Sequence, residues 1–275
     1  MVNNIEKKSE VFDLGRVWRY FRYDVVSCIS GQGLSLLVVS VMPLFLLFVT
    51  GIVSVIFTPS HSWTFPQESL RVIALVFSVI FVVIQFPTRM YGALTEKKYG
   101  SQWILLPASR LEKFLSMMIV SLVLVPFAFM LVYGLSDYLA ALLDPAGEPM
   151  LFGAKAFGED ASLLSAGAGG LWIGWNYIAS SIIVFLLGAV VFKKRKVALT
   201  FLCFIAFFMV VSTIFALVAK SWDWEQIIKN LDIKYAELTY SQLVNKINAI
   251  IWACTIIWFA LFGGLTAWRL NKLEL

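Results

Sequence analysis

Six apolar stretches, at 33–57, 70–91, 114–136, 170–192, 197–219 and 247–268, decide what this chain can become. Each is long enough to cross a hydrocarbon core, which takes about 20 helical residues. Their only charges are Arg71 and Arg89, near the two ends of the second stretch. Water cannot hide so much apolar surface, whereas lipid accepts it, provided that the backbone satisfies its own polar groups as a helix or a closed barrel. Long uninterrupted runs select helices, because barrel strands are short and alternate. Composition agrees: 60% of the 275 residues are hydrophobic and 14% charged, against roughly 45–50% and about 25% in ordinary soluble domains. The expected fold is all-α: a polytopic membrane protein of six transmembrane helices with an amphipathic interfacial helix at the N-terminus.

Orientation follows from the basic residues, which favour the cytoplasmic side. One set of alternate connections holds Lys7, Lys8, Arg16, Arg19 and Arg22, then Arg89, Lys97, Lys98, Arg110 and Lys113, then Lys193, Lys194, Arg195 and Lys196, then Arg269 and Lys272. The other set holds only Arg71, Lys155, Lys220, Lys229, Lys234 and Lys246 of the 22. The first set is therefore expected in the cytoplasm, with both chain ends. This distribution also accounts for the net charge of +5 without nucleic acid as a partner.

Residues 1–32 form the expected cytoplasmic N-terminus and 33–275 the transmembrane domain. Residues 1–10 lack the apolar core of a cleavable signal, so the first span is expected to remain in the protein. Leu14, Val17, Trp18, Phe21 and Val25 recur at helical spacing, with Arg16, Arg19 and Arg22 on other faces and Asp13 placed to cap. The pattern fits a helix lying on the inner leaflet. The same period also serves a helix packed on the protein's own loops. The outer segments are expected at 58–69, 140–169 and 220–246. The second is rich in Gly, Ala and Pro and reads as a loop. The third has helical spacing and reads as short outer helices, with Thr239, Tyr240, Ser241 and Gln242 forming a capping box before the last span.

Chemistry is sparse. Cys28, Cys203 and Cys254 all fall in or beside apolar segments with no CxxC pair, and read as small core residues. The single His61 has no second histidine and no HExxH around it, so neither a metal site nor a catalytic site is expected. No Gly-rich phosphate loop occurs, so no nucleotide cofactor is expected in this chain. Ion-coupled transporters commonly keep a charge near the bilayer centre, whereas these spans offer Gln85, Asn176 and scattered Ser and Thr. Glu68, Arg71 and Asp137 read as solvated helix ends. Pro43, Pro87 and Pro126 interrupt the first three spans, and Gly263 with Gly264 would permit close helix approach in the last.

The loop 92–113 is the specific segment. Ser109 and Glu112 stand at capping-box spacing, so a helix should begin at Arg110 and run into the third span. Upstream, Gly100 and Pro107 bracket a short amphipathic stretch with Trp103 and Leu106. The run Glu96, Gly100, Leu105, Leu106, Pro107, Ser109 and Arg110 resembles the acidic-Gly-Leu-Leu-Pro-Ser signature after the second span of type-2 ATP-binding-cassette (ABC) exporter permeases. In that family the region is the coupling element seated on the ATPase. The resemblance implies a bacterial inner-membrane permease subunit, multi-pass, that forms a homodimer or heterodimer with a similar chain. It also implies a separate ABC ATPase subunit that carries the ATP and Mg. Glu96, Gly100, Trp103, Leu106, Pro107, Ser109, Arg110 and Glu112 are then the coupling residues, and Arg16, Trp18, Arg19, Phe21 and Arg22 those of the interfacial helix, against membrane lipid. The Leu pair abuts Pro107 directly, and the segment after the fifth span is more charged than a re-entrant hairpin, which places its helices above the membrane. A membrane scaffold or regulatory subunit of the same fold is the alternative expectation. A lipid-active enzyme is disfavoured, because no acid, base or metal cluster gathers in the sequence.

Overall fold

Pro43 determines how the first apolar segment is built. Without an N–H it cannot bond the carbonyl of Val39, and its ring crowds that turn. In the computed structural model, which describes residues 13–57, 62–95, 109–144, 169–220 and 240–273, the chain accordingly forms two helices here. Helix α1 (Leu14–Ser40) stops at Val41, whose φ and ψ are −89° and 6°, and α2 (Met42–Phe57) resumes beyond it. A single span at 33–57 is therefore not what forms. The helix starts 19 residues earlier, passes through a π turn at Ile29–Gly33, and breaks inside that stretch.

Neighbouring helices satisfy the break. Helix α3 (Glu68–Met90) brings the Ser78 hydroxyl to the Val39 carbonyl at 3.4 Å, and α4 (Arg110–Leu143) brings the Ser136 hydroxyl to the Ser40 carbonyl at 2.7 Å. In hydrocarbon such freed carbonyls need a partner from within the protein. Helix α4 has its own π turn at Val120–Leu124, where the Val125 N–H reaches back to the Val120 carbonyl one residue ahead of Pro126. At the far end of α2, the ring of Trp63 lies against Gly51, where a Cβ would come within 2.1 Å of it. The Ser54 hydroxyl donates to the Ser62 carbonyl and accepts from the Thr64 N–H, both at 2.9 Å.

The remaining helices are α5 (Gly169–Val191), α6 (Lys196–Lys220) and α7 (Tyr240–Leu273). All regular elements among the described residues are helical. Six helices are long and apolar enough to cross a membrane: Leu14–Ser40, Ser69–Met90, Arg110–Leu143, Gly174–Val191, Lys196–Ile214 and Ala249–Lys272. The outer face is correspondingly greasy: Leu34, Phe45, Phe77, Phe127, Leu202 and Ile257 are all more than half exposed. This is a multi-pass membrane protein by the length and composition of its helices.

Helix α5 is the centre of the bundle and packs against α3, α4, α6 and α7. Ile182, Ile183, Leu186, Ala189 and Val190 are fully buried on it. Small residues set the close approaches, as in many membrane bundles. A Cβ at Gly188 would lie 1.8 Å from Oγ1 of Thr200 on α6, so these two backbones are pressed together. Gly263 of α7 sits against Met118 and Ile183, whereas Gly264 has open space around it. Polar clips add to this: Asn176 Nδ2 donates to Thr255 Oγ1 at 2.9 Å, and Trp258 Nε1 to the Ser180 carbonyl at 3.1 Å.

Several expectations need correction or relocation. Cys28 is buried, but Cys203 and Cys254 are exposed on the outer face and are not core residues. Arg71 and Asp137 are not solvated: Asp137 is 1% exposed and its Oδ1 lies 2.5 Å from Arg71 Nη2, joining α3 to α4. The side chain of Glu68, His61, and the expected loop and outer-helix residues 145–168 and 221–239 lie outside the described residues. Thr239 does so too, while Tyr240 already opens α7, and residues 240–248 are its first turns.

Candidate functional site

The two ends of the 92–113 loop are described; Glu96, Gly100, Trp103, Leu106 and Pro107 between them lie outside the described residues. The downstream end is a helix start. Ser109 is extended, with φ −68° and ψ 159°, and its Oγ accepts the Glu112 N–H at 3.4 Å. Glu112 Oε2 accepts the Ser109 N–H in return, at 2.7 Å. Two of the N–H groups that a helix leaves unsatisfied are thereby met reciprocally.

Glu112 does more than cap its own helix. It is fully buried, and its Oε1 accepts the backbone N–H of Asp13 at 2.9 Å while lying 3.2 Å from Arg16 Nη2. Asp13 is itself the cap of α1, its Oδ1 accepting the Gly15 N–H at 2.8 Å. One carboxylate thus sits between two helix N-termini and a guanidinium. Each N-terminus presents roughly half a positive charge. Together with three hydrogen-bonding partners, these compensate a burial that would otherwise be prohibitive for an ionised group. One turn on, Ser116 Oγ donates to Asp24 Oδ2 at 2.7 Å, and both residues are buried.

These links decide which face of the N-terminal helix is inside. Val17, Tyr20, Asp24 and Cys28 are buried, while Leu14, Trp18, Arg19 and Arg22 are exposed. Trp18 and the half-buried Phe21 stack with centroids 5.6 Å apart. Packing on the start of α4 therefore uses one face of the helix, and a second face of mixed aromatic and basic character is left outward. Arg110, at the first position of α4, is exposed, whereas Glu112 and Lys113 are buried. Of the sequence-derived coupling residues that are described, Ser109 and Glu112 hold the joint, and Arg110 faces out.

The upstream end is tied elsewhere. After α3 the chain makes a 3₁₀ turn, Gly92–Thr95. Lys196 Nζ at the start of α6 donates to the Gly92 carbonyl, and Thr95 Oγ1 donates to the Gly92 carbonyl at 3.0 Å and to the Phe192 carbonyl at 3.5 Å. Residues 192–195 form the tight connection between α5 and α6, closed by Arg195 at φ 48°. A left-handed residue other than Gly is uncommon and reflects a demanding turn. The loop thus hangs between two fixed joints. One is shared by α1 and α4, the other by α3 and the α5–α6 turn.

Sequence reading finds the Ser109–Glu112 box because its spacing is local. The Glu112 links to Asp13 and Arg16 span 99 residues in the first case and leave no local signal. The basic run at 193–196 is visible in sequence, but not that Lys196 turns back to Gly92. Among the described residues no group of three or more His, Cys, Asp or Glu could hold a metal ion. No family model matches the chain, and no curated protein or solved structure matches it either.

Proposed function

We propose that this chain is the transmembrane permease subunit of an ATP-driven exporter of the ABC type. It sits in the bacterial cytoplasmic membrane with both ends and the 92–113 loop inside, and pairs with itself or a similar chain. Nucleotide chemistry belongs to a separate ATPase subunit that grips the loop through Glu96, Gly100, Trp103, Leu106 and Pro107. The observation that carries this reading is the buried Glu112 carboxylate. It joins the loop's downstream end to two helices at once, so that a push on the loop moves α1 and the inner half of α4 as one body.

The mechanism is a two-state one. A partner shifts a conformational equilibrium only as far as its contacts differ between the states. Closure of the ATPase subunits displaces the loop. The Gly92–Lys196 and Thr95–Phe192 contacts act as the second joint, through which the same displacement reaches α5 and α6. Substrate then moves when the spans rearrange around the central α5. The amphipathic first part of α1, Leu14–Cys28, lies at the inner surface with Trp18, Arg19 and Arg22 toward lipid headgroups, as exposed aromatic and basic side chains do at that depth.

The test is copurification of an ATPase subunit with the full chain, followed by ATP turnover of the complex in nanodiscs. Glu96→Ala combined with Trp103→Ala is expected to release the ATPase or abolish its stimulation. Unchanged copurification and stimulation would remove the coupling assignment. A bound ATPase whose turnover never responds to the chain would favour the scaffold reading.

A further inference from the structure

At the end of the bundle where α5 turns into α6, an apolar groove meets a cluster of basic groups. The groove runs between α5, α6 and α7, holds about 200 Å³, and is lined by Leu187, Gly188, Cys203, Phe207, Leu261 and Leu265, among others. It opens sideways: Cys203, Phe207, Leu261 and Leu265 are all exposed on the outer face. Its end at Phe192 is followed directly in the chain by Lys193, Lys194 and Arg195. Those three side chains are exposed, and form no ion pair among the described residues.

Helix α7 supplies the other wall. Arg269 follows Leu265 by one turn on the same side of the helix, and its Nε is buried with no hydrogen-bond partner among the described residues. A buried guanidinium nitrogen without an acceptor is a rare and unfavourable arrangement. Lys272 lies over the Trp268 ring at 4.0 Å at this same end. No Asp or Glu falls within α5, α6 or α7 to balance these charges. An apolar slot in a membrane-spanning bundle, topped by cations that make no ion pair among the described residues, matches one kind of molecule: an acyl chain below and an anionic headgroup above.

We infer that the α5–α6–α7 groove is a binding site for an anionic phospholipid, its acyl chain lying along Gly188, Cys203 and Leu261 and its phosphate held by Lys193, Lys194, Arg195 and Arg269. Basic pockets between transmembrane helices bind lipid headgroups in this way. The tight turn closed by Arg195 fixes the backbone of the three basic residues directly after Phe192 at the groove's end, so little backbone ordering is required when the lipid arrives. The site depends only on the bundle being in a membrane and stands whether or not an ATPase partner exists.

The experiment uses the full chain in nanodiscs of phosphatidylcholine with and without phosphatidylglycerol. It reads the lipid retained by native mass spectrometry and the site of photocrosslinking from a diazirine-tailed phosphatidylglycerol. Crosslinks are expected on α6 and α7 near Cys203 and Leu261, with phosphatidylglycerol retained in preference to phosphatidylcholine. Lys193→Gln, Lys194→Gln and Arg195→Asn together keep the turn, since Asn accepts a left-handed backbone. Each basic group near an anionic surface contributes about fivefold, so this triple variant should weaken retention roughly a hundredfold. Cys203→Trp fills the slot from its exposed rim and should displace the crosslink while leaving the charges in place. Lys220→Gln, at the far end of α6, should change neither readout. Equal retention of the two lipids, retention unaffected by both the triple variant and Cys203→Trp, or the same thermal stabilisation by inorganic phosphate alone would each overturn the assignment. So would loss of a copurifying acidic protein, with lipid retention intact, in the triple variant.

Discussion

The Glu112 carboxylate accepts the backbone N–H of Asp13, so the cap of one membrane helix is completed by the cap of another 99 residues away. Because the donor on Asp13 is main chain, its side chain can change without losing this bond. The joint therefore separates into parts that mutation can distinguish.

Removing the Glu112 side chain breaks its ion pair with Arg16 and leaves the Asp13 and Ser109 N–H groups without their acceptor. Glu112→Ala is expected to destabilise by about 3–5 kcal/mol, the usual cost of breaking a buried charge pair from one side. Glu112→Gln keeps an acceptor oxygen and should lose less. Asp13→Ala removes the cap to Gly15, worth about 1 kcal/mol, and the exposed 4.0 Å approach of its Oδ2 to Arg16 Nε, which adds little. Unfolding in detergent ranks the three, and an Asp13→Ala loss as large as that of Glu112→Ala would contradict the geometry.

Arg71 and Asp137 make the second buried ion pair, between α3 and α4. Asp137→Asn or Arg71→Leu alone should cost about 3–5 kcal/mol, because the remaining charge loses the counter-ion it is buried against. Arg71→Met with Asp137→Leu together should recover most of that, since apolar replacement of a buried pair is often neutral or better. Under the proposed function, a double variant that folds well yet no longer stimulates a copurified ATPase would show that the pair serves coupling and not stability.

Periodicity and charge make much of this architecture readable without coordinates. The six apolar runs are period-independent signals, and each later run coincides with a helix. The first run misleads because Pro43 and the Arg and Asp residues before Gly33 act in opposite directions. The helical spacing from Leu14 and the cap at Asp13 are legible, but charge hides that this helix runs on unbroken into the apolar run, and apolarity hides a break at Val41. Ser109 and Glu112 were readable as a cap because both partners lie within one turn. Asp137 reads as a solvated end from its place beside the outer loop, and only the arrival of Arg71 from another helix reveals why it is buried. Likewise nothing adjacent to Gly188 in sequence points to Thr200.

The kink at Val41 predicts a coupling between proline and serine. With Pro43 present, Ser78→Ala should cost roughly 0.6 kcal/mol, the average for hydrogen bonds inside membrane bundles. In a Pro43→Ala background the new N–H can serve the Val39 carbonyl, and the same serine change should cost almost nothing. Ser136→Ala should cost more than Ser78→Ala, because its bond to Ser40 is 2.7 Å against 3.4 Å. A double-mutant cycle in lipid measures the coupling. Additive effects would mean that Ser78 and Pro43 are unrelated.

The contact of Gly188 with Thr200 fixes how closely α6 can lie on the central helix. A methyl group at Gly188 would meet Thr200 Oγ1 at 1.8 Å and Cγ2 at 2.6 Å, neither of which can move away without shifting α6 itself. Gly188→Ala is therefore expected to destabilise by about 1–3 kcal/mol, the range for overpacking a filled interior. Thr200→Ala removes both of those atoms and leaves only the Cβ, which would sit 2.7 Å from the new methyl group. The double variant should consequently be more stable than the sum of the two single changes predicts. Measured by unfolding in detergent, a coupling of the opposite sign, or none, would mean that the two helices are not pressed together at this point. Since Gly188 and Thr200 also line the groove beneath the basic turn, Gly188→Ala should widen it on the α6 side. The single variant is thus expected to shift the crosslink pattern of the tail-labelled lipid, and Thr200→Ala should bring that pattern back toward the original.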